Sequence, residues 1–112
     1  MTLKEVCEIL EANVVCGQDN LDIEVKMACG SDMMSDVLAF VKNQSLLLTG
    51  LQNPQVVRTA DMMDMHCIVF VRGKEPTEDI IELACDRDIV LMQTPLRMFT
   101  ACGRLYDAGL KG

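Results

Sequence analysis

Apolar residues recur along the chain with two different periods, and each period predicts a different kind of element. A helical stripe of apolar residues follows Thr2 and Glu5, which form a capping box, and predicts a first helix from about Leu3 to Ala12. The next segment, Asn13 to Cys16, predicts a short strand that ends at Gly17. The chain therefore begins with a helix and a strand.

A second strand is predicted from Ile23 to Met27, because its apolar residues alternate with Glu24 and Lys26. One face of such a strand is wetter than the other, which places the strand toward an edge of a sheet. Further on, Ser31 or Asp32 can cap a second helix. The apolar face of that helix consists of Met34, Val37, Leu38 and Val41.

The segment from Ser45 to Ala60 is the most informative part of the sequence. Ser45 to Thr49 predicts a buried strand, and a helix to Met65 follows a tight loop. Asn53 is the expected N-cap of this helix and Pro54 its first residue. Such a junction is expected to leave free backbone N–H groups at the helix start, where an anionic or polar ligand can bind.

Two further strands and two further helices complete the pattern. Cys67 to Val71 is an uninterrupted apolar run, which predicts a central strand covered on both faces, and Ile89 to Met92 predicts a last buried strand. Thr77 can cap the helix between them, and the final helix begins at Pro95 or just after it and stops at Gly109. The residues expected to be buried by these two helices are Ile80, Ile81, Ala84 and Cys85 in the first, and Met98, Phe99, Cys102, Leu105 and Tyr106 in the second.

Strands and helices that alternate with short connections predict an α/β fold. The length of 112 residues fits one domain, residues 1–112, with one core. Three successive strand-loop-helix units imply parallel strands with right-handed crossovers. The expected architecture is a small sheet of about five mostly parallel strands with helices packed on it.

Parallel strands place their downstream loops at one edge of the sheet, where open α/β sheets bind ligands. The loops expected there carry hydroxyl, amide and two cationic side chains, which suit a carboxylate or a phosphate. Because polar residues are common in all loops, a solvated edge without a ligand is the alternative. The candidate ligand-binding residues are Ser31, Asp32, Thr49, Gly50, Gln52, Asn53, Arg72, Gly73, Lys74 and Thr94.

The composition adds an expectation about oligomeric state. Hydrophobic residues make up 50% of the chain before its seven glycines are counted, whereas about 45–50% is usual for a set that includes glycine. A small domain has much surface to cover, so the surplus favours an apolar patch that a second copy buries in a homodimer. A core rich in small and flexible residues is the alternative.

The charge distribution argues against two classes of partner. The net charge is −7, and eight acidic but only two basic side chains lie in residues 1–40. This surface repels phosphate backbones, so nucleic acid is an unfavourable partner. No apolar run is long enough to cross a bilayer and no signal peptide is recognisable at the N-terminus, so we expect a cytoplasmic protein.

The cysteines and the single histidine do not form a recognisable metal or redox motif. No Cys-x-x-Cys pair is present, and a cytoplasmic chain of this apolar content needs no disulfides, so we expect buried free thiols, no metal and no cofactor. His66 follows a methionine-rich segment, 62–65, whose side chains would point to different sides of a helix. A site that uses Cys29, Cys67 and His66 would require these residues to converge in space.

Catalytic motifs are also absent. Gly73-Lys74 superficially resembles a phosphate-binding loop, but Ile68 stands where an earlier glycine belongs and Glu75 stands where Ser or Thr would bind magnesium. At the expected ligand edge, Asp32 is the one obvious candidate for a general base. The sequence therefore does not predict an enzyme.

Five strings of the sequence stand out together, at residues 33–40, 46–60, 68–74, 94–99 and 102–105. With them the chain resembles a stand-alone DRTGG-domain protein over nearly its whole length, from about Val14 to Leu110. The resemblance implies a small α/β domain like the N-terminal domain of HPr kinase/phosphorylase, found alone or attached to CBS domains and enzymes. The pentapeptide that names the family is absent, and the loop from Thr49 to Pro54 takes its expected place.

The resemblance implies a regulatory or dimerising module without catalysis of its own. It also implies an accessory role beside a hydrogenase or an NADH-oxidoreductase complex as protein partner. We therefore expect a non-enzymatic domain that binds a partner protein or a small anionic ligand. Two other interpretations stay open, a small enzyme acting on a phosphorylated metabolite at the same edge and a redox or metal accessory protein.

Overall fold

Five strands form one sheet in the computed structural model of the chain, which describes residues 1–40 and 46–112. The strands are β1 (Asn13–Cys16), β2 (Ala28–Gly30), β3 (Leu46–Thr49), β4 (Cys67–Phe70) and β5 (Val90–Gln93). The helices are α1 (Leu3–Ile9), α2 (Met34–Phe40), α3 (Gln55–Met62), α4 (Glu78–Asp86) and α5 (Met98–Asp107). A short 3-10 turn, Gln18–Asn20, follows β1.

The strand order is β1-β5-β4-β3-β2, and four of the five strands are parallel. Only β1 runs the other way, paired antiparallel with β5. The prediction of an α/β sheet with mostly parallel strands is therefore confirmed. The prediction that the apolar run beginning at Cys67 is central is confirmed as well, because β4 lies between β3 and β5 and is buried throughout.

The helices divide between the two faces of the sheet. Helices α2, α3 and α4 cover one face, where they pack on side chains such as Leu47, Ile68 and Leu91. Helices α1 and α5 cover the other face, where Leu46 and Val69 lie in the core. The three crossovers from β2 to β5 all step in one direction, so right-handed connections place their helices on the same side.

The second strand begins later than the sequence predicts, and the expected strand from Ile23 to Met27 is wrong. Single bridges occupy that segment, one between Thr2 and Glu24 and one between Met27 and Lys111. Continuous pairing with β3 starts only at residue 28, so β2 is a three-residue edge strand. Apolar and charged residues alternate in this segment because it lies extended between the two ends of the chain. Its pairing with the sheet begins only at residue 28.

Helix ends differ from the predictions where a residue takes left-handed backbone angles. Helix α1 ends before Glu11, with φ of 52°, and α3 ends before Asp64, with φ of 54°, so both are shorter than predicted. The Thr2–Glu5 capping box is confirmed, and its hydrogen bonds lower the pKa of Glu5. Gly109 follows α5 with φ of 112°, which confirms the predicted stop.

Helix α5 begins at Met98 rather than at Pro95, and two of its apolar residues are exposed. Phe99 is 90% exposed and Tyr106 is 61% exposed, so the expectation that both are buried is wrong. Leu105 is buried as expected, and Ala101 is buried as well. On α4, Ile80 and Ala84 are buried as expected, whereas Cys85 is exposed. The predicted contribution of Val41 to α2, and of Ser45 to the third strand, lies outside the described residues.

A disulfide joins Cys16 at the end of β1 to Cys85 on α4, which contradicts the expectation of free thiols throughout. The two residues are 69 positions apart, so their spacing in the sequence gives no sign of the pairing. They meet because α4 packs over the neighbouring strands β1 and β5. The other four cysteines, Cys7, Cys29, Cys67 and Cys102, are free.

Candidate functional site

The loops that follow β2, β3, β4 and β5 lie along one edge of the sheet, as their parallel pairing requires. We call this edge the strand-end rim; it comprises residues 31–33, 50–54, 71–77 and 94–97 and the adjoining strand end at Thr49. The predicted gathering of these loops at a common border is confirmed by the pairing. What each predicted residue can do there depends on its hydrogen bonds.

Asp32 connects the first two loops of the rim. Its Oδ1 accepts hydrogen bonds from the Thr49 hydroxyl at 3.2 Å and from the Gly50 N–H at 2.7 Å. The Thr49 oxygen in turn accepts a bond from the Leu51 N–H at 3.1 Å. The carboxylate that is the obvious candidate for a general base therefore holds the β3–α3 loop in place.

The start of α3 offers fewer free donors than the sequence predicts. Pro54 has helical backbone angles, and Asn53 Oδ1 accepts the Gln55 N–H at 2.9 Å, so the predicted capping role of Asn53 is confirmed. The N–H groups of Val56 and Val57 donate to the carbonyls of Asn53 and Pro54. The expectation of free backbone N–H groups at this helix start is wrong, because the loop itself satisfies them.

The β4–α4 loop turns sharply at two successive left-handed residues, Arg72 with φ of 59° and Gly73 with φ of 68°. The Arg72 N–H donates to the Leu96 carbonyl at 2.7 Å and the Gly73 N–H to the Thr94 carbonyl at 2.8 Å. A non-glycine residue in this conformation costs of order 1 kcal/mol or more and persists only where its surroundings hold it. These two bonds to the β5–α5 loop hold the turn.

The guanidinium of Arg72 lies over Gly50. A Cβ atom at Gly50 would lie 2.5 Å from Arg72 Nη2, so the absence of a side chain at position 50 leaves room for the guanidinium. The same Gly50 donates its N–H to Asp32. The β3–α3 loop thus leaves the space that the Arg72 guanidinium occupies.

Amide side chains join the β4–α4 loop to its neighbours on both sides. The Gln52 amide donates to the Glu75 carbonyl, and Gln93 Nε2 donates to the Gly73 carbonyl at 3.3 Å. Within residues 1–40 and 46–112, neither Arg72 nor Lys74 forms an ion pair; the two ion pairs found there are Arg87–Asp61 and Arg104–Glu11. The rim therefore presents two cationic groups, on a loop held from both sides, without carboxylate partners in the described chain.

The three predicted hydroxyl residues form hydrogen bonds within the fold. Thr94 is fully buried, and its hydroxyl donates to the Leu10 carbonyl at 2.6 Å and accepts the Leu96 N–H at 3.2 Å. The Ser31 hydroxyl accepts the Met33 N–H at 3.0 Å. Thr49 is also fully buried. The other predicted residues are exposed or partly exposed at the rim: Ser31, Asp32, Gly50, Gln52, Asn53, Arg72, Gly73 and Lys74.

A cavity of about 220 Å³ lies between β2 and α5, and the sequence does not predict it. Gly30 brings the strand and the helix together, because a Cβ there would lie 2.7 Å from Cys102 Sγ. At the cavity wall, the Lys111 ammonium lies 3.6 Å from the centroid of the Tyr106 ring. We call this feature the β2–α5 groove; its lining residues are Ala28, Cys29, Gly30, Leu48, Cys102, Leu105, Tyr106, Leu110, Lys111 and Gly112.

The proposed convergence of Cys29, Cys67 and His66 does not occur. Cys67 packs with the core cluster under α1 and α5, whereas Cys29 packs with the cluster under α2, α3 and α4. Burial raises the pKa of both thiols, that of Cys29 to about 11. His66 is exposed beside Cys67. In the described part of the chain, no three His, Cys, Asp or Glu side chains are grouped as a metal ion would require.

Comparison with known proteins gives one family and a similar solved structure. A family described as "DRTGG domain" matches residues 5–108. The crystal structure of the CBS and DRTGG domains of the regulatory region of Clostridium perfringens pyrophosphatase, complexed with its activator diadenosine tetraphosphate, is similar with a TM-score of 0.75 and 19% sequence identity. The similarity covers 93% of this chain and 45% of that one, so the chain spans less than half of its length.

No curated protein matches the chain. Among the helices of the described residues, none has the length and apolarity that a membrane span needs.

Proposed function

The chain belongs to the DRTGG domain family, and on that premise we propose that it is a non-catalytic regulatory domain that binds a small anionic ligand at the strand-end rim. The observation that carries the proposal is the β4–α4 loop, where Arg72 and Lys74 lie on a turn fixed by hydrogen bonds to both neighbouring loops. Cations on a preorganised loop bind phosphate groups without a large ordering cost. The similar pyrophosphatase region, which contains CBS and DRTGG domains, is complexed with the activator diadenosine tetraphosphate, and this makes a phosphate-bearing compound the first ligand to test here.

The arrangement at Asp32 supports a binding role over a catalytic one. A general base needs a carboxylate oxygen within reach of a substrate proton. Asp32 Oδ1 instead accepts bonds from Thr49 and Gly50 and positions the β3–α3 loop. A regulatory domain that binds a ligand and acts on a partner protein is therefore our first proposal. A small enzyme that acts on a phosphorylated metabolite is the second.

The proposal extends to a cytoplasmic homodimer that acts on a partner protein. Large apolar side chains remain exposed, including Met33 at 59%, Met62 at 68% and Phe99 at 90%. A second copy or a partner would bury such surface. Sedimentation equilibrium of the purified chain tests the oligomeric part: twice the chain mass supports a homodimer, and the mass of one chain at all concentrations contradicts it.

Calorimetric titration with inorganic pyrophosphate, ATP and diadenosine tetraphosphate tests the ligand proposal. Replacing Arg72 or Lys74 by Ala removes one charge-assisted hydrogen bond, worth about 1.5–3 kcal/mol. The dissociation constant should then rise roughly 10- to 100-fold. Arg87→Ala is the matched control, because Arg87 lies at the other end of α4 in an exposed ion pair with Asp61.

The outcomes separate clearly. Binding that weakens in Arg72→Ala and Lys74→Ala but not in Arg87→Ala supports the rim as the site. Equal affinity in all four proteins, or no binding of any of the three phosphate compounds, contradicts it. Turnover of a bound phosphate compound that stops in Asp32→Asn would favour the enzyme instead.

A further inference from the structure

Cys16 and Cys85 meet at the sheet edge formed by β1, far from the β2–α5 groove at the opposite edge. Their Cα atoms are 6.5 Å apart, within the range that a disulfide spans. The bond joins the one antiparallel strand to α4 across 69 positions of sequence.

A β-bulge directs Cys16 toward α4. Along β1, Val14 pairs with Met92 and Cys16 pairs with Leu91, so Val15 is an extra residue in the strand. Without the bulge, Cys16 would share the face of Val14, which packs with the cluster under α1 and α5. With it, Cys16 lies in the cluster under α2, α3 and α4, where Cys85 can meet it.

Gly17 keeps the end of β1 close to β5. Its φ is 87°, and a Cβ there would lie 2.8 Å from Val90 Cγ2. A larger residue would move the end of the strand away from β5 and take Cys16 with it. The bulge and the glycine are separate local features with one common consequence, the position of the Cys16 sulfur.

The pair differs from the other four cysteines in access and in partner. Cys16 is buried, whereas Cys85 is on an exposed position of α4 that a small molecule can reach. Burial raises the pKa of the thiols of Cys7, Cys29, Cys67 and Cys102, which keeps them protonated and slow to react. None of these four is bonded to another cysteine.

We propose that Cys16 and Cys85 are a reversible thiol–disulfide pair, oxidised by a low-molecular-weight disulfide such as glutathione disulfide and reduced by glutathione. The exposed Cys85 thiolate attacks one sulfur of glutathione disulfide, and one glutathione leaves with the electron pair of the broken S–S bond. The Cys16 thiolate then attacks Cys85 Sγ in this mixed disulfide and releases the second glutathione. Two protein thiols lose two electrons and two protons, and glutathione disulfide gains them.

The crosslink changes how firmly the edge strand is held. Strand β1 pairs on one side only, with β5, and lies at the end of the sheet. Closing a long loop in the unfolded chain removes more entropy than closing a short one, so this bond stabilises the folded state. In the reduced protein, β1 depends on β5 and on core contacts alone, and its amides should exchange faster with solvent.

Thiol counting in glutathione buffers of defined ratio tests the proposal. The full chain is equilibrated, quenched by alkylation and measured by intact mass and peptide mapping. Excess glutathione disulfide should leave four alkylated cysteines and a crosslinked peptide that contains Cys16 and Cys85, and excess glutathione should return all six. The oxidised form should melt about 10–20 °C above the reduced form.

Variants make the test specific. Cys85→Ser, at an exposed position, should have the melting temperature of the reduced protein in both buffers. The melting temperature of Cys7→Ser should differ between the buffers as much as that of the unaltered chain. A crosslink between another pair of cysteines overturns the proposal. So does a Cys16–Cys85 bond that excess glutathione does not reduce, a pair that glutathione disulfide does not oxidise, or equal melting temperatures of the two forms.

Discussion

The strand-end rim and the β2–α5 groove differ in their chemistry, because the rim is charged and the groove is mostly apolar. The rim carries two cations on a loop held by its neighbours, and its polar groups are largely bonded to one another. The groove encloses about 220 Å³, and its lining is mostly apolar, with Lys111 against Tyr106 at its wall. Charge suited to a phosphate and volume suited to an apolar group thus lie in different places.

The difference follows from the topology. Ligand crevices in open α/β sheets form where the strand order reverses and neighbouring helices diverge to opposite faces. Here the order from β2 to β5 does not reverse, so α2, α3 and α4 stay on one face and the loops between them can hold one another closely. The groove lies at an edge of the sheet, where the short strand β2 is next to α5.

The largest expected effect concerns the packing of the groove. Gly30→Val places a branched side chain where a single Cβ already lies 2.7 Å from Cys102 Sγ and 3.0 Å from Met98 Sδ. Overpacking of this kind should lower the free energy of unfolding by about 3 kcal/mol in chemical denaturation, with ligand affinity at the rim unchanged. Gly103→Ala on the same helix meets nothing within 4 Å and should stabilise by about 0.5–1 kcal/mol. Equal stabilities would contradict the close packing at Gly30.

A smaller effect tests whether Thr94 belongs to the fold rather than to the ligand site. Thr94→Val keeps the shape but leaves the Leu10 carbonyl and the Leu96 N–H without their partner. The free energy of unfolding should fall by about 2 kcal/mol, since an unsatisfied buried polar group costs about 1–3 kcal/mol. Phosphate affinity should be preserved in calorimetric titration of the folded variant. A loss of affinity without a loss of stability would reassign Thr94 to the ligand site.

Gly50→Ala should affect binding more than stability. The added methyl group meets the flexible end of Arg72, which can move away. The free energy of unfolding should therefore change by less than about 1 kcal/mol. The guanidinium is then displaced from the rim, and pyrophosphate affinity should fall roughly tenfold without any charge being removed. Unchanged affinity would mean that the position of Arg72 over Gly50 does not matter to the ligand.

The smallest effect is expected on the exposed face of α5. Phe99→Ser replaces a side chain that is 90% exposed, so the free energy of unfolding should change by less than about 0.5 kcal/mol. A loss above 2 kcal/mol, measured at a protein concentration where the chain is a monomer, would show that Phe99 packs in the folded chain after all. Sedimentation of the same variant shows whether this side chain contributes to self-association.

Much of the fold is readable from local sequence because local interactions determine it. The Thr2–Glu5 capping box, the Asn53 cap and the buried run at Cys67 each depend on residues close in the chain. The sequence misplaces the start of β2 because residues 24 and 27 form bridges with the two ends of the chain. No local pattern reveals such bridges. The same holds for the Cys16–Cys85 bond.

The candidate site was readable in outline but not in detail. Parallel strands predict that the turn from Arg72 to Lys74 lies beside the loops at Gly50 and Thr94. The guanidinium of Arg72 does lie over Gly50, and the Gly73 N–H does donate to Thr94. Residue type does not tell whether a hydroxyl faces solvent or holds a turn, and Thr49 and Thr94 hold turns. The β2–α5 groove depends on how a distant helix packs over an edge strand, so only the structure reveals it.

The central claim, that phosphate-bearing ligands bind at the rim rather than in the groove, is tested most directly by amide NMR spectra of the isotope-labelled chain during titration with pyrophosphate. We predict saturable shifts at Gly50, Gln52, Arg72, Gly73 and Lys74, with the amides of Gly30, Cys102 and Tyr106 unmoved. Shifts confined to the groove residues, with the β3–α3 and β4–α4 loops unchanged, would contradict the account.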